Sequence, residues 1–171
     1  MTARDGDFVK LFQELADACP IPEAVAILGE RWTCLILRAS MLGLCHFEEY
    51  QACLGIARNI LSDRLGRLVA AEILARTPDP EDGRRVIYAL TERGAALMPV
   101  VVALRQWALE AGLGKAGHPE LADRRDRRPV APISVQSHDG RALGIEGMMW
   151  IGPDGHEIQL AVATRSNRAA A

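Results

Sequence analysis

Arginine can bridge O6 and N7 of guanine, and asparagine can bridge N6 and N7 of adenine, so a helix face carrying both can read base edges. Residues 57–67 run Ala-Arg-Asn-Ile-Leu-Ser-Asp-Arg-Leu-Gly-Arg and supply both types. Ile60, Leu61, Leu65, Leu68 and Val69 recur at the period of a helical apolar stripe. Arg58, Asn59, Ser62 and Arg67 are then left pointing outward together, with Asp63 and Arg64 between them. Residues 56–94 hold seven arginines and no lysine, and Arg84 and Arg85 stand at the start of a returning strand, within reach of phosphates or a minor groove. Charge is focal rather than global: residues 1–55 sum to −4, while residues 56–94 and 95–171 each sum to +1, making the net −2. That balance, with a pI near 6.1, excludes a protein that coats nucleic acid by bulk charge and leaves a local basic patch open.

The thiols offer less. Cys19, Cys34, Cys45 and Cys53 lie 15, 11 and 8 residues apart, with no C-x-x-C, and His46 is the one histidine near them. A zinc site normally shows two close ligand pairs, so neither a metal site nor a cofactor is expected. A disulfide framework fits neither the size nor a reducing compartment. Cys34, within Trp32-Thr33-Cys34-Leu35, reads as a small core hydrophobe. A thiol redox enzyme would need a resolving cysteine close to Cys19, so no catalytic residue is assigned.

These side chains need a frame, and the chain reads as short helices, a hairpin and a long helix. Phe8, Leu11, Phe12 and Leu15 follow the helical period, ending before Cys19-Pro20. Pro22 opens a second helix that stops at Gly29, and Thr33 is expected to cap a third that Gly43 ends. Phe47, Tyr50 and Leu54 share one face of a fourth. Gly55 then breaks the chain before a helix over residues 57–71, the helix-turn-helix pattern. Residues 73–77 and 84–90 flank the dense turn signal Pro78-Asp79-Pro80-Glu81-Asp82-Gly83 and predict a β-hairpin. The expected fold is mainly α with a β-hairpin wing, a winged helix-turn-helix.

Thr91 is expected to cap a last helix, kinked at Pro99 and running to about residue 113. Leu97, Val101 and Leu104 line one side, and Val100, Ala103 and Trp107 another. A helix apolar on two faces is buried on two sides, so Leu97, Val101, Leu104 and Trp107, with Phe8, Phe12 and Leu15, are expected to form a homodimer seam. Residues 1–114 are assigned to the winged domain and 115–130 to a linker. Residues 131–171 form a small β-rich appendage with strands near 133–135 and 158–162.

The order Cys19-Pro20-Ile21, Leu28-Gly29-Glu30-Arg31-Trp32-Thr33, Gly55-Ile56-Ala57-Arg58-Asn59-Ile60-Leu61-Ser62-Asp63-Arg64-Leu65 and Tyr88-Ala89-Leu90-Thr91-Glu92-Arg93-Gly94 resembles the HxlR family of bacterial transcription regulators, which are MarR-like winged-helix proteins. The resemblance covers about residues 19–110. It implies a homodimer on an inverted-repeat operator of double-stranded DNA, with a small-molecule effector left open. Three departures stand out. Ala57 replaces a Ser or Thr cap, a loss of roughly 1 kcal/mol. Glu72 replaces a glycine at the turn into the wing, where a side chain strains or reshapes the turn. The tail carries no cysteine, so no tail metal site carries over. Cys19 matches a cysteine that some members use to sense oxidants, and a thiol just ahead of a helix N-terminus is chemically suited to that.

The longest uncharged apolar run, residues 94–104, is too short for a membrane span, and residues 1–7 show no signal-like apolar region. The expectation is a cytoplasmic protein that does not meet a membrane and is not an enzyme. Two other classes remain beside the regulator: a winged-helix partner-binding protein without DNA binding, and a thiol-based redox protein.

Overall fold

In the computed structural model the described residues are Gln13, Ala16, 18–152, Gly155 and 157–160. The expected first helix, with Phe8, Phe12 and Leu15, lies outside them. The chain divides into two compact units, Cys19–Pro129 and one holding the residues from Val130 onward.

In the first unit α1 (Ile21–Leu28) has Pro22 in its opening turn, where a missing N–H costs nothing. α2 (Arg31–Met41) begins earlier than expected: Glu30 is its N-cap, and Thr33 is buried inside the helix. Thr33 cannot cap because its own N–H already closes a turn onto the Glu30 carbonyl at 3.0 Å. α3 (Phe47–Leu54) ends at Gly55, whose φ of 61° lies in the left-handed region that glycine tolerates. α4 (Arg58–Ala70) follows after a three-residue turn. α4 ends in a Schellman motif: Glu72 N–H donates to Val69 O at 3.0 Å and Ile73 N–H to Leu68 O at 2.9 Å. The residue in the left-handed position is Glu72, at φ 58°.

β1 (Leu74–Pro78) and β2 (Val86–Leu90) pair antiparallel, with Leu74 opposite Leu90 and Pro78 opposite Val86. At the base of this wing Thr91 Oγ donates to Glu72 O at 2.6 Å. Thr91 also caps α5 (Glu92–Ala95), accepting from Gly94 N–H at 3.0 Å. Gly94 packs so closely that a Cβ there would sit 2.2 Å from Ile73 O. The expected single kinked helix is two, α5 and α6 (Met98–Glu110). Pro99 falls in the first turn of α6, where it starts a helix instead of bending one.

The core is Ile36 and Leu37 of α2, Tyr50 of α3, Leu61, Leu65 and Leu68 of α4, and Leu74 of β1. The one phenol in it is satisfied: Tyr50 O–H donates to Leu44 O at 2.6 Å and meets Ser40 Oγ at 2.8 Å. Burial pushes its pKa up. Leu97 and Val101 lean on the same core, whereas Leu104 and Trp107 are 46% and 61% exposed.

The second unit holds β3 (Met149–Ile151) paired antiparallel with β4 (Glu157–Gln159). Residues 133–135, expected as a strand, form none; an isolated bridge joins Gln136 to Ala142, and Leu143 N–H reaches Val135 O at 2.9 Å. Among the described residues no second strand lies alongside 133–135 to pair it.

Candidate nucleic-acid interface

α4 has two faces because its leucines must go inward. With Leu61, Leu65 and Leu68 buried, Arg58, Asn59, Ser62, Asp63 and Arg67 are exposed. Ala57 is the N-cap and offers no side-chain acceptor. The orphan N–H groups of the first turn are therefore left without a side-chain cap and open to an external acceptor such as a phosphate oxygen.

Arg58 is oriented by α3: its guanidinium carbon lies 4.8 Å from the centroid of the Phe47 ring. Stacking of this kind contributes about 0.5–1 kcal/mol at an exposed site and holds a long side chain near one pose. Arg67 Nε meets Asp63 Oδ2 at 3.1 Å, one helical turn away. Asp63 thus tempers the positive face instead of contacting an anion.

Arg64 stands apart. Only 15% of its side chain is exposed, Nη2 pairs with Glu30 Oε2 at 3.1 Å, and Nη1 lies 3.6 Å from Asp63 Oδ2. It ties α4 to the N-cap of α2, beneath the face on which Arg58, Asn59 and Ser62 gather. Sequence spacing places position 64 at the border of the stripe, and Glu30, 34 residues earlier, draws it in.

The wing tip is built by its own aspartates. Asp79 Oδ1 accepts from Glu81 N–H at 2.9 Å, and Asp82 Oδ1 accepts from Arg84 N–H at 3.1 Å. Arg84 is 96% exposed, with Nε 3.6 Å from Asp82 Oδ1, and Arg85 is exposed beside it. β2 begins only at Val86, so Arg84 and Arg85, expected to open the returning strand, stand instead in the turn before it, where the Asp82 carboxylate holds the backbone.

What the sequence did not reveal is how the wing is fastened to the helix-turn-helix. Tyr88 N–H donates to Cys45 O at 2.8 Å, and His46 bridges to Ile87. His46 Nε2 lies 2.9 Å from Asp79 Oδ2, and His46 Nδ1 lies 3.4 Å from Cys45 Sγ. Glu49 Oε2 accepts from both Cys45 and His46 N–H at 2.9 Å, closing a capping box on α3. The Asp79 carboxylate holds the His46 pKa above the ordinary imidazole value. The Glu81 amide, then His46, hold Asp79 below the usual carboxylate range. The two backbone N–H donors do the same for Glu49. Burial, then the Glu49 and Asp79 charges, push the Cys45 thiol up. The pattern His-x-x-Glu signals the cap, but nothing local pairs His46 with a residue 33 positions on.

Cys19 is half-buried next to Pro20, the N-cap of α1. Cys34 is half-buried with Sγ 3.7 Å from Leu28 O, its pKa pushed up by burial, and Cys53 is exposed. No helix of the described residues is long and apolar enough to cross a membrane.

A three-residue turn between α3 and α4, an outward Arg-Asn face and an arginine-tipped hairpin define a winged helix-turn-helix protein of the transcription-regulator class. Residues 27–113, just over half of the chain, match the HxlR-like helix-turn-helix family, and the chain belongs to that family. HTH-type transcriptional regulator Mb3122 of Mycobacterium bovis, itself uncharacterized, is 41% identical over 90 residues, covering 53% of this chain and 57% of the relative. The chain thus spans little more than half the length of that relative. HTH-type transcriptional regulator YodB of Bacillus subtilis is 39% identical over 92 residues, covering 53% of this chain and 82% of YodB. The reduced form of YodB superposes with a TM-score of 0.50 at 33% identity, over 57% of this chain and 97% of that one. The crystal structure of PA1607, a candidate transcription factor, matches with a TM-score of 0.73 at 34% identity, over 80% of this chain and 96% of its own.

Proposed function

We propose that this protein regulates transcription by binding double-stranded DNA, with the N-terminal turns of α4 in the major groove and the β1–β2 wing on neighbouring phosphates. The observation that carries this is the exposed Arg58-Asn59-Ser62 face on the second helix of a helix-turn-helix. Such helices enter the groove N-terminus first. Arg58 and Asn59 specify bases, Arg67, Arg84 and Arg85 position the backbone, and Arg64 positions the helix itself.

A single winged helix with so few basic contacts binds weakly at cellular salt, so pairing is part of the reading. The exposed Leu104 and Trp107 on α6 supply an apolar seam for a second copy, and a two-fold dimer reads an inverted repeat. The site of action is the cytoplasm, where bacterial DNA lies. Cys19 is the thiol through which oxidation or an electrophile would modulate binding, a reading favoured by its place ahead of α1 and by the study of YodB in a reduced form.

The test is anisotropy with the DNA upstream of the protein's own gene against scrambled DNA, on reduced and oxidised samples. Binding at least 100-fold tighter to one site, dependent on Arg58, supports the reading. Equal binding to all sequences, or none, overturns it in favour of a partner-binding module. A loss on oxidation that Cys19→Ser abolishes supports the thiol role.

A further inference from the structure

We infer that Cys45, His46 and Glu49 bind a zinc-class divalent cation at the N-terminus of α3, with Asp79 of the wing holding the far side of the His46 ring. The three ligand atoms all lie within 4.8 Å of one another. Cys45 Sγ to His46 Nδ1 is 3.4 Å and His46 Nδ1 to Glu49 Oε1 is 3.4 Å. A tetrahedral ion with Zn–S near 2.3 Å and Zn–N and Zn–O near 2.1 Å requires edges of about 3.5 Å and about 3.4 Å. Two of the three edges already match a coordination tetrahedron, and the third, Cys45 Sγ to the Glu49 carboxylate, lies within 4.8 Å and closes on binding.

Donor chemistry agrees. Thiolate plus imidazole selects zinc over calcium or magnesium, which take oxygen ligands. The three protein ligands leave a fourth position for water.

The orientation of His46 is the second, independent observation. Its Nδ1 faces Cys45 and Glu49, while Nε2 meets the Asp79 carboxylate at 2.9 Å. That is the carboxylate–histidine–metal arrangement, in which the outer carboxylate fixes the tautomer with Nε2–H donating and frees the Nδ1 lone pair for the ion. Glu49 is likewise held: Oε2 accepts the Cys45 and His46 N–H groups, leaving Oε1 as ligand. Asp79 is fixed in turn by the Glu81 N–H on its other oxygen. The imidazole and the carboxylate that would touch the ion are thus each restrained by a bond not needed for coordination.

On binding, the Cys45 S–H bond breaks, the thiolate pair forms the S–metal bond, and the proton leaves to buffer. Two carboxylates, one thiolate and a dication give a local charge of −1. The chain pattern hides this site because its parts are two adjacent residues, one at a turn's distance, and one across the wing. Cation binding stands or falls independently of whether α4 reads DNA.

The full chain, stripped with chelator, is titrated with cobalt(II), and zinc is then added to displace it. The expected result is one equivalent bound with a thiolate-to-cobalt charge-transfer band that zinc abolishes. Cys45→Ser should remove the band and Cys53→Ser should keep it, with circular dichroism showing both folded. Asp79→Asn, which retains an acceptor for Glu81, should weaken affinity 10–100-fold. In the unmodified protein zinc should also protect Cys45 from alkylation, read by mass spectrometry, so the outcome does not hang on a variant. No band at millimolar cobalt, a band surviving Cys45→Ser, or alkylation of Cys45 unchanged by zinc overturns the site.

Discussion

Glu72→Gly is expected to stabilise this protein, against the usual direction of mutation. Glu72 occupies the left-handed position of the Schellman motif that ends α4, at φ 58°. A left-handed conformation costs an L residue about 1–2 kcal/mol, and glycine escapes that cost. Glycine loses about 0.4–1 kcal/mol more on folding because its unfolded chain is freer. The change also removes the Glu72–Arg93 pair at 3.5 Å, whose side chains are 81% and 61% exposed, so at most a few tenths of a kcal/mol go with it. The sum is a gain of about 0.5 kcal/mol. Glu72→Ala separates the contributions, since it loses the same ion pair but keeps the strain. Glycine should therefore exceed alanine by about 0.5–1 kcal/mol. With a urea slope of about 1–3 kcal/mol/M, the two midpoints should differ by about 0.2–1 M at unchanged slope. Alanine matching or exceeding glycine would refute the strained turn, and with it the account of how α4 hands over to the wing.

Three further outcomes follow from the interface. Arg58→Ala should cost about 1–3 kcal/mol on the preferred DNA site and relax base preference there, read by anisotropy on single-base variants. Replacing Arg84 and Arg85 together by alanine should weaken binding about equally on all sequences and shallow the salt dependence by about one unit for each phosphate no longer neutralised; a change in base preference with an unchanged salt slope would mean that the wing reads bases. Leu104→Asp should leave a folded protein, because the side chain is nearly half exposed in the protomer. Sedimentation should then find a monomer where the unmodified protein should sediment as a dimer, and an unmodified monomer at micromolar concentration removes the seam.

The parts of the fold that were legible are those written in local periodicity and punctuation. The stripe of Leu61, Leu65 and Leu68 and the breaker Gly55 sufficed for α3, α4 and the outward face, and Pro78 to Gly83 sufficed for the wing. The misplaced features depend on partners distant in sequence. Arg64 looks like any other polar residue of α4 until Glu30 is beside it. Thr33 has the right chemistry for a cap, but the turn closes one residue triplet earlier. Pro99 has two meanings, kink or start, and the neighbouring Ala96-Leu97 break decides between them. His46 and Asp79 meet only once the wing folds back, so neither residue advertises the other.

The close approach of Gly94 to the Ile73 carbonyl bears on how this gene can drift. Every non-silent single-base change of a glycine codon brings in either a side chain with a Cβ or a stop. A Cβ at position 94 lands 2.2 Å from a backbone oxygen that cannot rotate away. Position 66, mid-way along α4, is the opposite case, since a Cβ there meets nothing within 4 Å. Alanine at 66 would even add roughly 1 kcal/mol of helix propensity. Two glycines with the same codons therefore face opposite fates in a library of random variants. Position 94 should come through selection almost empty of substitutions, and position 66 should fill with them wherever the exposed surface of α4 is free of DNA.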